Sequence, residues 1–155
     1  MKPRLNAYQA APAVMKAMMV LESQVVANGL EPALMELVKI RASQINGCAF
    51  CLHMHTRDAR AKGEKEERIY LLDAWRESPL FSPRERAALA WTEAVTLVSQ
   101  THVPDEVYEQ ARAEFSEGEL VKLTLLVTTI NAWNRFAISF RSIHPVNVKA
   151  QSSAA

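Results

Sequence analysis

The residues with the most reactive side chains stand together in Cys48-Ala49-Phe50-Cys51-Leu52-His53-Met54-His55, which holds both cysteines of the chain. Their spacing is Cys-x-x-Cys, with a histidine four residues after the second cysteine. Residues three and four apart share a face of a helix, so Cys48, Cys51 and His55 can meet. The chemistry open to such a group is that of a thiolate. A neighbouring thiol, an imidazole or a helix N-terminus can lower a thiol's pKa below its free value of about 8.5. Gly47 marks a helix boundary and places both cysteines in the first turn of the next helix. Unpaired backbone N–H groups and the helix dipole favour negative charge there. His55, one turn further on, is placed to take a proton from Cys51 as a general base.

A base of this kind needs an acceptor to orient it, and Glu36 is the candidate. If the segments on either side of Gly47 form an antiparallel hairpin, Glu36 (eleven residues before it) and His55 (eight after it) come close. A carboxylate among Leu34, Leu37, Val38 and Ile40 is costly to bury unless it is paired. Two other readings of the same residues stand beside this one. Free cysteines can be small buried hydrophobes, and Cys48, Cys51, His53 and His55 nominally supply four zinc ligands. Four ligands within eight residues of one helix close a tetrahedron poorly, and there is no second Cys-x-x-Cys. Neither a metal nor a cofactor is expected, and His53 reads as structural or exposed.

The elements that must hold these residues all read as helices. Pro12 opens one that runs to about Ala27, before Asn28-Gly29, and Pro32 opens a second that Gly47 ends. The third runs from about Cys48 to Lys62-Gly63. Ile69, Leu71, Leu72 and Trp75 fall in a short fourth helix that stops before Ser78-Pro79. Ser82-Pro83-Arg84-Glu85 is a capping box with proline at N1, and its helix carries Ala88, Leu89, Trp91, Val95 and Val98. Pro104-Asp105-Glu106 opens another helix, to about Phe115. Ser116-x-x-Glu119, a second capping box, leads into a long helix over about 117–141. Met15, Met18, Met19 and Met35 are expected in the core or at subunit contacts, and Trp91 and Trp133 in the core. Asn131, Asn134 and Arg135 on a long apolar helix need partners; bridging between subunits is the favoured reading, lining the site the other. His102 and His144, near helix ends, carry no expected chemistry. Loops are short and composition is even, so the expectation is one all-α domain over 1–155, with a core motif at about 31–63, C-terminal helices over 83–141 and a frayed tail at 146–155.

With 155 residues, 49% of them hydrophobic, the chain can bury a core of its own. Its 18 basic and 17 acidic residues give a formal net charge of +1. That balance gives no electrostatic case for nucleic acid or an anionic membrane as partner. Lys16 and Glu22 interrupt the apolar run 13–26, which argues against a signal peptide or a membrane span. A cytoplasmic setting is therefore expected. In that compartment a cysteine pair is catalytic or metal-binding more often than a permanent staple.

The stretch 36–55, with a glutamate and, twelve residues later, Cys-x-x-Cys-x-x-x-His, resembles the signature of the AhpD-like alkylhydroperoxidases, a branch of the carboxymuconolactone decarboxylase-like group. The resemblance continues through Phe81-Ser82-Pro83-Arg84-Glu85-Arg86-Ala87-Ala88-Leu89-Ala90-Trp91 and Ile130-Asn131-Ala132-Trp133-Asn134-Arg135. It implies an AhpD-like helical bundle, homo-oligomers (trimers or hexamers), and reduction of hydroperoxides by the cysteine pair. Carried over by position, Cys51 resembles the peroxidatic cysteine and Cys48 the resolving one, with His55 and Glu36 as the proton relay. The implied partners are a hydroperoxide and an external dithiol that reduces the Cys48–Cys51 disulfide. The chain departs from the best-known peroxidases of the family at Phe50, where they carry a second histidine. Carboxymuconolactone decarboxylases proper lack the cysteine pair, so lactone decarboxylation is disfavoured. The other activities open to these residues are dithiol/disulfide exchange on thiol substrates, redox sensing and metal binding.

Overall fold

Prolines and capping boxes set most of the helix starts in this chain. The structure, a computed structural model, describes residues 2–145; the tail 146–155 lies outside them. Regular structure in the described residues is helical throughout: α1 (Ala7–Ala10), α2 (Pro12–Val26), α3 (Pro32–Asn46), α4 (Ala49–Ala61), α5 (Glu66–Tyr70), a 3-10 turn (Leu72–Ala74), α6 (Pro83–Thr96), α7 (Val98–Thr101), α8 (Asp105–Glu114) and α9 (Glu117–Phe140). Three departures from the sequence reading are local. Asn6 caps a short α1 ahead of Pro12, accepting from the amides of Tyr8 and Gln9. The segment holding Ile69 to Trp75 breaks into α5 and the 3-10 turn. The helix from Pro83 stops at Thr96, where the β-branched Val95 and Thr96 lower helix propensity, so that Val98 belongs to α7.

Helix α3 is the hub, packing against α4, α6 and α9. Every residue from Leu34 to Ile40 is buried, Glu36 and Lys39 included, as expected of a helix enclosed on all sides. Leu34, Met35 and Val38 join Trp91 of α6 and Leu123, Leu126 and Val127 of α9 in the main core. Leu37 and Ile40 face Ala59, Leu72, Trp75 and Phe81 in a second cluster. Arg84 ties three helix starts together, bonding Glu31 (2.8 Å) and Glu119 (2.6 Å) while its guanidinium lies 4.0 Å over the Phe115 ring. No helix among the described residues is long and apolar enough to cross a membrane.

The capping box at Ser116 is complete. Its hydroxyl accepts from the Glu119 amide (3.3 Å), and the Glu119 carboxylate accepts from the Ser116 amide (2.9 Å). Ser116→Ala is expected to lower stability by about 1 kcal/mol, read as a lower denaturant midpoint at unchanged slope. The reactive thiols should be unaffected, because the cap lies about 20 Å along α9 from Ile130, where the helix packs against the cysteines. Equal midpoints would deny the cap its role.

Candidate active site

The turn between α3 and α4 places the cysteines. Gly47 has φ 67° and ψ 33°, the left-handed conformation that favours glycine. Its amide donates to Gln44 (3.1 Å) and the Cys48 amide donates to Ser43 (3.0 Å), the paired bonds of a Schellman ending. Cys48 is thereby fixed in an extended conformation as the N-cap of α4 rather than in its first turn, and Cys51 takes the third helical position. Both thiols are free and nearly inaccessible, at 1% and 2% exposure. They pack with Ala42 of α3 and with Ile130 and Ala137 of α9.

The antiparallel hairpin brings Glu36 and His55 together as its geometry predicts. His55 Nδ1 lies 3.0 Å from Glu36 Oε2, with both residues buried (5% and 4% exposed). The other carboxylate oxygen accepts from Lys62 Nζ at 2.6 Å. Burial alone would raise the Glu36 pKa, but the bonds from His55 and Lys62, with the nearby charges of His55 and Lys39, outweigh it and hold the carboxyl at about 2. An ionised carboxylate can only accept, so whenever His55 is neutral its proton is held on Nδ1 and Nε2 is free as a base.

A cavity of about 790 Å³ opens onto these groups. Cys51, His55 and Glu36 lie on its wall, with Phe50 and Met54 of α4, Met15 and Met19 of α2, and Trp133 and Phe136 of α9. The N-terminal arm closes one side, held by Arg4, whose amide and guanidinium donate to the carbonyls of Phe140 (3.0 Å) and Ser139 (2.9 Å). Cys51 therefore faces the cavity, while Cys48 sits behind it.

The two thiols titrate as a pair. The Cys51 thiol donates to Cys48, and although burial opposes ionisation, the amides of Cys51 and Phe50 and the side chain of Asn134 add to that donation and lower Cys48 to about 7. These amides favour the thiolate without a fully formed cap hydrogen bond. Cys51 is pushed up by the same bond, by burial and by the Cys48 charge. One negative charge is thus available to the pair near neutral pH, resting on Cys48 with Cys51 as its donor.

The other residues singled out by the sequence divide between the cavity wall and pairings within the chain. Trp133 lines the cavity instead of filling the core, because its Nε1 donates to Glu22 (3.0 Å), which also pairs with Lys39 (2.8 Å). Met15 is buried in the core as expected and borders the cavity from there, while Met19 lines its exposed rim. Asn131 and Asn134 are satisfied within the chain: Asn46 Nδ2 donates to the Oδ1 of each at 2.8 Å. Arg135 donates to the carbonyl and Oδ1 of Asn131. His53 stacks on His144 with ring centroids 4.5 Å apart, away from a ligand role. Among the described residues, the metal-binding groups that converge are Glu36, His55 and Asp58, within 4.8 Å, not the two cysteines with His53 and His55. Lys62 already occupies one Glu36 oxygen of that set. Lys62 is the residue that the sequence reading left without a place at the site, and Asn134, for which lining the site was the second reading, acts on both thiols.

Comparison with known proteins follows the same lines. The family model described as the carboxymuconolactone decarboxylase family matches residues 12–94. A Bacillus subtilis protein, YdfG, itself uncharacterized, is 46% identical over 139 residues, covering 90% of this chain and 95% of its own. A crystal structure from Agrobacterium tumefaciens, described as a protein of unknown function and a candidate antioxidant-defence protein AhpD, is 48% identical. It superposes with a TM-score of 0.92 over 94% of this chain and 100% of that one. The debrominase Bmp8, 18% identical with a TM-score of 0.78 over 92% of this chain and 76% of its own, shares the fold.

Proposed function

The chain belongs to the carboxymuconolactone decarboxylase family, in its AhpD-like group, and from that premise we propose that it is a thiol-dependent peroxidase working through Cys51 and Cys48. The observation that carries the reading is the placing of Cys51 and a carboxylate-oriented imidazole on one cavity wall, with the second thiol directly behind. In the proposed cycle the Cys51 proton passes to His55 Nε2, and the thiolate attacks the terminal peroxide oxygen. The O–O bond breaks, an S–O bond forms, and the leaving alkoxide takes up the proton held by His55. Cys48 then attacks the sulfenic acid, releasing water and closing the disulfide. An external dithiol restores the pair. A cytoplasmic setting, where thiols are kept reduced, suits this cycle. Assembly into a trimer or hexamer belongs to the same reading through the family resemblance.

Two observations weigh against the other readings. Exchange with a protein thiol needs a sulfur at the protein surface, whereas Cys51 is reached only through the cavity, which a small dithiol can enter. A metal-binding module built on the cysteines finds no converging ligand set that includes them among the described residues.

The test is intact mass of the reduced, metal-free protein after one equivalent of an organic hydroperoxide. Rapid loss of two hydrogens is expected, and an unchanged mass would remove the peroxidase reading. The rate of that loss should rise with pH through about 7, because the pair ionises there and the thiolate is lost below it. A flat profile from pH 5 to 9 would mean that thiol ionisation does not govern the step.

A further inference from the structure

Asn134 is fully buried on α9, on the stripe Ile130, Asn134 and Ala137 that packs against Cys48 and Cys51. A buried primary amide in an apolar seam needs its polar atoms satisfied, and their partners dictate which way it points. Its Oδ1 accepts from Asn46 Nδ2 at 2.8 Å, so its NH₂ group is turned the other way. One N–H of that group donates to Ser43 Oγ at 3.1 Å, and the second remains on the face that Ile130 and Ala137 turn to the cysteines. The lock is itself locked. Asn46 gives its other N–H to Asn131 (2.8 Å), whose Nδ2 is held by Thr96 (2.9 Å) and by the Val127 carbonyl (2.9 Å). Asn46 and Ser43 flank the same turn that fixes Cys48.

We propose that Asn134 holds the negative charge of the Cys48/Cys51 pair, with Asn46 and Ser43 as the positioning residues that keep its N–H aimed at the sulfurs. The inference takes from the proposed function only that a thiolate is the working species. The ionisation of both thiols agrees with it, since Asn134 favours the charged form of each. The charged groups about the pair are Glu36 and Lys39 from α3, His55, Asp58 and the α4-terminal Lys62, and Glu22 from α2. The α9 stripe packed against the cysteines carries the neutral Asn134, a donor whose effect does not change with pH.

The test needs no peroxide: ultraviolet titration of the thiolate in the reduced protein, with the rate of alkylation by iodoacetamide followed against pH. In Asn134→Leu, which keeps the volume and removes the donor, the first thiol ionisation should move up by about one pH unit. The alkylation rate at neutral pH should then fall about tenfold. In Asn46→Ala, which frees the amide without touching the sulfurs, a smaller shift in the same direction is expected; this variant carries the test if the first does not fold. A folded variant that loses thermal stability but titrates as the parent does would overturn the proposal and leave Asn134 a packing residue. Because the readout is ionisation, failure of peroxide reduction in the parent protein is a separate result.

Discussion

Cys51→Ser is expected to abolish peroxide reduction, lowering turnover by about 10⁴-fold or more, the scale seen when a nucleophile is removed. A serine hydroxyl in the same apolar wall is a far weaker nucleophile, and His55 alone cannot make it an alkoxide at neutral pH. Cys48→Ser should behave differently. Cys51 still faces the cavity and can attack once, but no thiol stands behind it to release water. The protein should gain one oxygen per chain and stop, then oxidise further under excess peroxide. The contrast tests the assignment of roles, because ionisation and access point to different sulfurs. The charge rests on Cys48, while the cavity reaches Cys51. Transfer of the Cys51 proton to His55 reconciles them: the fraction with a charge on Cys51 is the one that meets peroxide, and its removal by reaction draws over the rest. Should Cys48→Ser be the inert variant and Cys51→Ser take up one oxygen, the roles are reversed.

Much of this site is readable in the chain because local rules place it. Gly47 ends α3, roughly equal distance from that turn pairs Glu36 with His55, and the two serine capping boxes begin α6 and α9 where they are found. Such features depend on neighbours within one or two turns. The cavity does not. Its walls come from the N-terminal arm, from α2 and from the end of α9, so Met15, Met19 and Trp133 carry no short-range mark that separates a wall from a core. Lys62 lies 26 residues from the carboxylate it bonds, and only the antiparallel return of α4 along α3 brings the two together. Asn131 and Asn134 stand out in sequence as polar residues on an apolar helix. That they answer Asn46 rather than a second subunit depends on how α9 crosses α3.

His55→Ala is expected to slow peroxide reduction by about 10² to 10⁴-fold, the usual worth of a positioned general base, and to shift the pH profile upward towards the intrinsic ionisation of the thiol. Glu36→Gln should do less, because Gln can still accept from Nδ1. What it loses is the charge that stabilises the imidazolium while His55 holds the proton, worth about 2 kcal/mol, or about thirtyfold in rate. The sign of the pH dependence separates this effect from a titration of Glu36 itself. Its pKa is depressed to about 2, so its pairing is present above the ordinary carboxylate value and is lost only as pH falls through about 2. An acid limb near neutrality therefore does not come from Glu36, and Glu36→Gln should lower the plateau without adding a limb. The two substitutions should also fail to multiply. If Glu36 acts through His55, the double variant is no slower than His55→Ala alone. A double variant slower by the product of the single losses would show that Glu36 acts by another route, for which its bond to Lys62 is the path the structure offers.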